Sequence, residues 1–431
     1  MESKIQLRTS KTQPWIICIL LAVIMYFSNG TASSSFSSNM PYIKEAFSLS
    51  ATQASMITSA RSWSATGCLA IMLFAFKKVP LKTSIILALC SASCAWVVFA
   101  FASTYNMLLV GGFLLGICFG FGGQAVMTAI VRNWFVINRS FALGIITAAT
   151  GLANIINPQI IRYLIETHSL KTNFLVWAGV FVVVVVVACI FIKEDPIKAG
   201  YYPLGGETVA ETVKEEVTFK ESSEYAPNWV CHVLMFLFIF CVSGFNYGAW
   251  SQFTLLFTSV GWEKAQVANF MSLCGFFLLA TKSGYGFISD KFSVKKSSWV
   301  FFLACFIAMV MCGLFAGVKN NLLIGLIFFI YCIGGIFSGT SLGVYAMEFS
   351  TRKNCKYISA VYLLAFNFCN IFTVNIIGAI ADANNGDYRP AYLFLAGLVV
   401  AGYLLTVAAY KVAKKNKEKL DAASASAPQA Q

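Results

Sequence analysis

The chain has 431 residues, 58% hydrophobic and only 11% charged, with a net charge of +13 and a mean hydropathy of +0.74. A soluble protein carries about 25% charged residues, so the composition excludes a soluble globular enzyme and points to an integral membrane protein. The excess of cations resembles a nucleic-acid signature only until they are placed along the chain, where they follow membrane topology instead.

A span needs about 20 apolar residues, and twelve such runs, all helical, alternate with short polar joints. Residues 1–13 form a basic tail with Lys4, Arg8 and Lys11. The apolar run after Pro14 ends in the polar stretch SNGTASSSFSSNM. A cleaved signal peptide is one reading of this start. The other is a first helix bordering a water-filled cavity, since Asn29, Gly30 and the serines would be unsatisfied facing lipid.

Span two, Thr52 to Phe76, carries Arg61 with no acidic partner, and Trp63 lies two residues on. Span three runs from Thr83 to Phe101. Span four, Met107 to Phe135, places Gly112, Gly116 and Gly120 on one face, a spacing that lets helix backbones approach closely. Span five follows Arg139 and is interrupted by Asn154, Asn157 and Pro158. Span six, Phe174 to Ile192, is rich in valine and suited to lipid.

From Lys193 to Asn228 the chain turns polar and acid-rich, which reads as a solvated linker. It separates two blocks of six spans, 14–192 and 229–412, and residues 413–431 form a second basic tail. Paired blocks of this kind belong to duplicated transporters, with the substrate near the midplane where the halves meet.

Span seven begins at Trp229 and is broken by GFNYGAWSQ, residues 244–252. Span eight carries Lys282, again without a carboxylate, and ends in GFISDKFSVKK. An ionisable group inside a span costs about 2.5 to 3.5 kcal/mol on insertion scales and is a functional candidate by default. The competing reading is that Lys282 snorkels to the nearby surface. Spans nine to twelve run from Trp299, Leu322, Ile358 and Tyr388, and span eleven carries Asn367, Asn370 and Asn375.

With both termini cytoplasmic, inner segments hold 23 cations and outer segments 6, so the positive-inside rule sets that orientation. The 14 cysteines show no metal-ligand or disulfide spacing and read as packing residues. No cofactor or metal is implied. The expected partners are the bilayer and a small solute, with no nucleic acid and a monomeric chain.

Twelve spans in two sixes with a central inner loop resemble the major facilitator superfamily. The segment from Gly286 through Asp290 and Lys291 to Lys295 and Lys296 looks like that superfamily's gating loop motif, whereas the first-half copy, KKVPLK, lacks the aspartate. Asn133-Trp134-Phe135 followed by Arg139, Ala142 and Gly144 is similar to the start of span five in the monocarboxylate transporter and oxalate/formate antiporter families. Asp195-Pro196 and Gly200 to Gly205 look like the same antiporter branch. In those families an arginine four residues before the motif glycine binds the substrate carboxylate. The matching residue here is Lys282, which would hold a carboxylate as a point charge rather than bidentately.

Two like charges, Arg61 and Lys282, on counterpart spans become favourable once an anion neutralises them. By the loop motifs they differ in depth by about 12 Å, so they either share a ligand through long side chains or act in sequence. Trp63, Gln124, Asn246, Tyr247, Trp250, Tyr331, Asn367 and Asn370 are the candidates to complete the pocket, each with a helix-packing role as its alternative. The spans hold no deep Asp or Glu of the kind proton-coupled carriers use. The expectation is therefore a transporter of a small mono- or dicarboxylate, working across the cell membrane by exchange or facilitated diffusion. The alternatives are a proton-coupled symporter and an exporter of a larger aromatic or sterol-like acid. A membrane enzyme would need a nucleophile with its base, or a metal cluster, and neither pattern is present.

Overall fold

The computed structural model describes residues 8–75, 80–205, 225–291, 294–334, 342, 345–346, 348–349 and 355–426. These residues are built from helices, with two isolated bridges and no strand among them.

The first span is α1 (Gln13–Met25), a π-helical segment (Tyr26–Ser34), a 3-10 turn (Ser35–Asn39) and α2 (Met40–Ala46). Then come α3 (Ala51–Ala75), α4 (Leu81–Ala100), α5 (Tyr105–Gly122), α6 (Gln124–Trp134), α7 (Arg139–Thr167) and α8 (Leu170–Phe191). The second half repeats the plan. It starts with α9 (Trp229–Val242), a second π-helical segment (Ser243–Gly248) and α10 (Ala249–Ser259). These are followed by α11 (Lys264–Lys291), α12 (Val294–Phe315), α13 (Asn321–Gly334), α14 (Cys355–Ala383) and α15 (Arg389–Ser426).

Among the described residues nine segments are long and apolar enough to cross a membrane. The helices α3 and α11 are not among them, because these two carry the serines, threonines and cations. The fold is that of an all-α, multi-pass membrane protein. The last helix continues through the basic tail to Ser426 instead of stopping near Val412.

Within the first half, α3 and α5 lie backbone to backbone. A Cβ on Gly116 would sit 2.0 Å from the Arg61 carbonyl oxygen, and one on Gly112 would sit 2.5 Å from that of Ile57. The glycine face is therefore a packing surface against the helix that carries Arg61.

The linker is less free than its composition suggests. Trp134 Nε1 donates to the Lys193 carbonyl (2.7 Å) and Asn133 Nδ2 to that of Glu194 (3.0 Å). Glu194 accepts from the Lys82 backbone N–H at 2.9 Å, and Leu204 bridges to Phe135. Residues 193–205 are thus tied to the end of the first half. Gly200 and Gly205, at φ +81° and +83°, make turns that a side chain would strain.

The halves meet along two pairs, α3 with α14 and α7 with α11, which exchange under the internal pseudo-symmetry. Ser59 donates to the Ile371 carbonyl and to Asn375 Oδ1 (3.1 and 2.9 Å). Gln159 Nε2 donates to Asn269 Oδ1 (2.9 Å) and Ser272 Oγ (3.1 Å). Asp382 accepts from the backbone N–H groups of Ala51 and Thr52 at 2.7 and 2.8 Å, capping α3 from the other half. Lys264 pairs with Glu45. The short loops 47–50 and 260–263 mark this as one end of the bundle.

Candidate functional site

Arg61 lies ten residues into α3, about 15 Å from its N-terminus. The residue is 3% exposed. Its Nη1 donates to the Ser33 carbonyl at 2.7 Å. Its guanidinium lies 5.8 Å from the Phe36 ring centroid and 5.5 Å from that of Tyr247. Phe36 comes from the first span and Tyr247 from the seventh, so the charge is held between the two halves. Aromatic faces attract a desolvated cation.

A guanidinium has five N–H donors. Ser33 takes one, and among the described residues no carboxylate pairs with the rest.

The backbone here departs from the α-helix in both halves. Ser33 lies near the end of one π-helical segment and Tyr247 lies in the other. A π-helix widens the turn and leaves carbonyls out of the regular ladder. The serine-rich sequence and the glycines of GFNYGAW favour such a departure, and its result is a carbonyl turned toward Arg61.

Two buried acceptors on the second half lack donors. Gln252 and Asn370 are each 1% exposed, and neither Gln252 Oε1 nor Asn370 Oδ1 has a hydrogen-bond partner. Gln252 Nε2 donates to Ser55 Oγ at 3.1 Å, which fixes the amide against α3. Asn370 shares a face of α14 with Phe366, which meets the Tyr247 ring edge-on at 6.4 Å, and with Thr373, which contacts Ser243 at 3.3 Å. Below them a satisfied network joins Tyr26 to Asn157 (2.6 Å) and Asn157 to Thr31 (2.9 Å). That network gives Asn157 a structural role in α7.

The other sequence candidates are dispersed. Asn246 is buried, and its carbonyl accepts from Tyr331 Oη at 2.8 Å. Tyr331 is packed against Phe253, so it supports the second π-helical segment from behind. Asn367 donates to the Leu363 carbonyl of its own helix at 2.9 Å. Trp250 meets Phe253 edge-on. Trp63 is 53% exposed and touches Phe368. Two residues from Arg61, it points to the other side of α3. Gln124 is exposed and opens α6 after the break at Gly123.

The side chains of Lys282, Gly286, Asp290, Lys291, Lys295 and Arg139 lie outside the described residues. The backbone of α11 places Lys282 seven residues past Gly275, which abuts Asn154 of α7. Ser33, Phe36 and Gln252 carry no sequence signal of their own beyond the polar runs that contain them.

Residues 22–374 match the profile of the Major Facilitator Superfamily. The sialic acid transporter NanX of Escherichia coli (strain K12) is 26% identical over 310 residues, covering 71% of this chain and 70% of the relative. Among solved structures, a peptide transporter POT variant superposes with a TM-score of 0.72 at 12% identity, covering 93% of this chain and 94% of the other. The nucleoside transporter NupG, also solved as a variant, gives 0.69 at 11% identity, covering 91% and 99%. These structures share the fold, and the profile covers well over half of the sequence. The chain is a non-enzymatic transporter and belongs to the Major Facilitator Superfamily.

Proposed function

We propose that this chain is a secondary active transporter of organic anions that works by alternating access, with Arg61 receiving the substrate carboxylate. One observation carries the reading: a guanidinium buried between the halves with one hydrogen bond and no described carboxylate partner. A cation so placed costs several kcal/mol unless paired, and a carboxylate ligand supplies two acceptors matched to its fork.

The surrounding groups favour a hydroxylated acid over a bare oxalate-sized dicarboxylate. Gln252 Oε1 and Asn370 Oδ1 need donors, which substrate hydroxyl or amide N–H groups provide. The relative named for sialic acid supports the same class, because that solute is an acid bearing several hydroxyls. The absence of deep carboxylates in the sequence favours exchange or facilitated diffusion over proton symport. The 23-to-6 cation asymmetry supports cytoplasmic termini in the cell membrane.

Uptake into proteoliposomes tests this. Sialic acid should compete for uptake better than oxalate or lactate, and internal substrate should accelerate it. Arg61→Gln should abolish it. Retained carboxylate transport by Arg61→Gln would remove the carboxylate from this site, and uptake driven by a pH gradient alone would overturn the exchange reading.

A further inference from the structure

A second polar site lies at the joined end of the bundle. Ser38, Tyr42, Arg162 and Lys264 line a narrow, solvent-facing gap of about 10 Å³ between the halves. Ser38 is 7% exposed. Ser38 Oγ, Tyr42 Oη and Arg162 Nε are all buried without a hydrogen-bond partner. Leaving a buried polar group without a partner is unfavourable, and three gathered at one cleft mark a place built for something else.

The missing group is an acceptor, because the Arg162 N–H can only donate and both hydroxyls can turn to donate. The Lys264 ammonium adds positive charge, 4.5 Å from the Tyr42 ring centroid. Two carboxylates are present, but neither fills the gap. Glu166 Oε2 is 3.9 Å from Arg162 Nε, too far for a hydrogen bond. Glu45 is engaged with Lys264 across the halves.

We propose that this cleft is an anion-receiving site on the transport path. An incoming carboxylate accepts from Arg162, Ser38 and Tyr42 there and displaces Glu45 from Lys264, which releases the ion pair joining the halves. Binding and opening are thereby coupled, since the anion replaces a latch that only the closed end can make. The inference rests on the organic-anion reading of the transporter but not on Arg61.

The full-length protein in nanodiscs is titrated with lactate and with sialic acid, and ligand NMR line broadening gives the Kd. Arg61→Gln should keep a weaker saturable site. Adding Arg162→Gln should weaken that site about tenfold or more, the loss of a charge-assisted bond. Adding Glu45→Gln to Arg61→Gln should instead tighten it several-fold, a direction that misfolding cannot imitate. If Arg61→Gln removes all saturable binding that the parent shows, the cleft proposal falls and the central site stands. Unchanged affinity in both double variants also overturns it. If the parent binds neither acid, both readings fall.

Discussion

Burying a guanidinium is unfavourable before any partner is counted, and the Ser33 carbonyl satisfies only one donor of Arg61. A purely structural arginine would destabilise the fold when removed. An arginine kept for a ligand should behave in the opposite way. Arg61→Gln should therefore melt at the same temperature as the parent, or a few degrees higher, in the absence of substrate, while losing the substrate-induced rise. Arg61→Lys should keep the charge but lose the planar fork, leaving transport with KM raised about tenfold. A marked fall in the melting temperature of Arg61→Gln without ligand would assign the residue to packing. The buried, carboxylate-free setting of Arg61 was legible in the sequence, because a lone cation in an apolar span stands out against its neighbours. Gln252 was not, because whether an amide oxygen lacks a donor depends on what the other half brings to it. Tyr331 and Asn367 show the converse: both are intramembrane polar groups, yet each meets a nearby carbonyl.

At the scale of elements, the position of Arg61 depends on α5. A Cβ at Gly116 would fall 1.9 Å from Ser64 Oγ and 2.0 Å from the Arg61 carbonyl oxygen, distances that only a shift of α3 relieves. Gly116→Ala should cost about 1–3 kcal/mol and lower substrate affinity, because α3 carries Arg61 away from Tyr247. Gly67→Ala, on α3 with nothing within 4 Å of the added carbon, should change neither. Equal melting temperatures for the two variants would show that the α3–α5 approach carries no strain. The spacing of Gly112, Gly116 and Gly120 makes this contact readable from sequence, since register alone puts them on one face. The π-helical segments are readable only as polarity, in the runs at 28–40 and 244–252 that are unsuited to lipid. Their hydrogen-bond pattern is set by packing against α7 and α14. The linker is opaque for a related reason. Its acidic composition hides that Lys193 and Glu194 offer backbone carbonyls to Trp134 and Asn133, an interaction with no compositional signature.

For the whole molecule, the decisive feature is that the described polar contacts between halves gather toward one end. Asp382 supplies the cleanest of them, because both its oxygens cap a helix belonging to the other half. A carboxylate at a helix N-terminus is favoured by its free N–H groups and dipole, and loss of such a cap costs about 0.5–2 kcal/mol. Under the alternating-access mechanism proposed above, that free energy does not unfold the protein. It moves the balance toward the state open at this end, by roughly tenfold for a cost of about 1.4 kcal/mol. Asp382→Ala should show this through a cysteine placed at Thr258, which lines the cleft and whose hydroxyl bonds only within its own helix. The rate of labelling by an impermeant maleimide applied at this end should rise about tenfold, measured against the same protein without the new cysteine. Asp387→Ala is the control. Among the described residues that carboxylate bonds only Arg389 in its own loop, so it shares the location and charge of Asp382 but not its reach across the halves. Should both variants label alike, simple loss of negative charge at this end would account for the effect, and the cap on α3 would hold nothing closed.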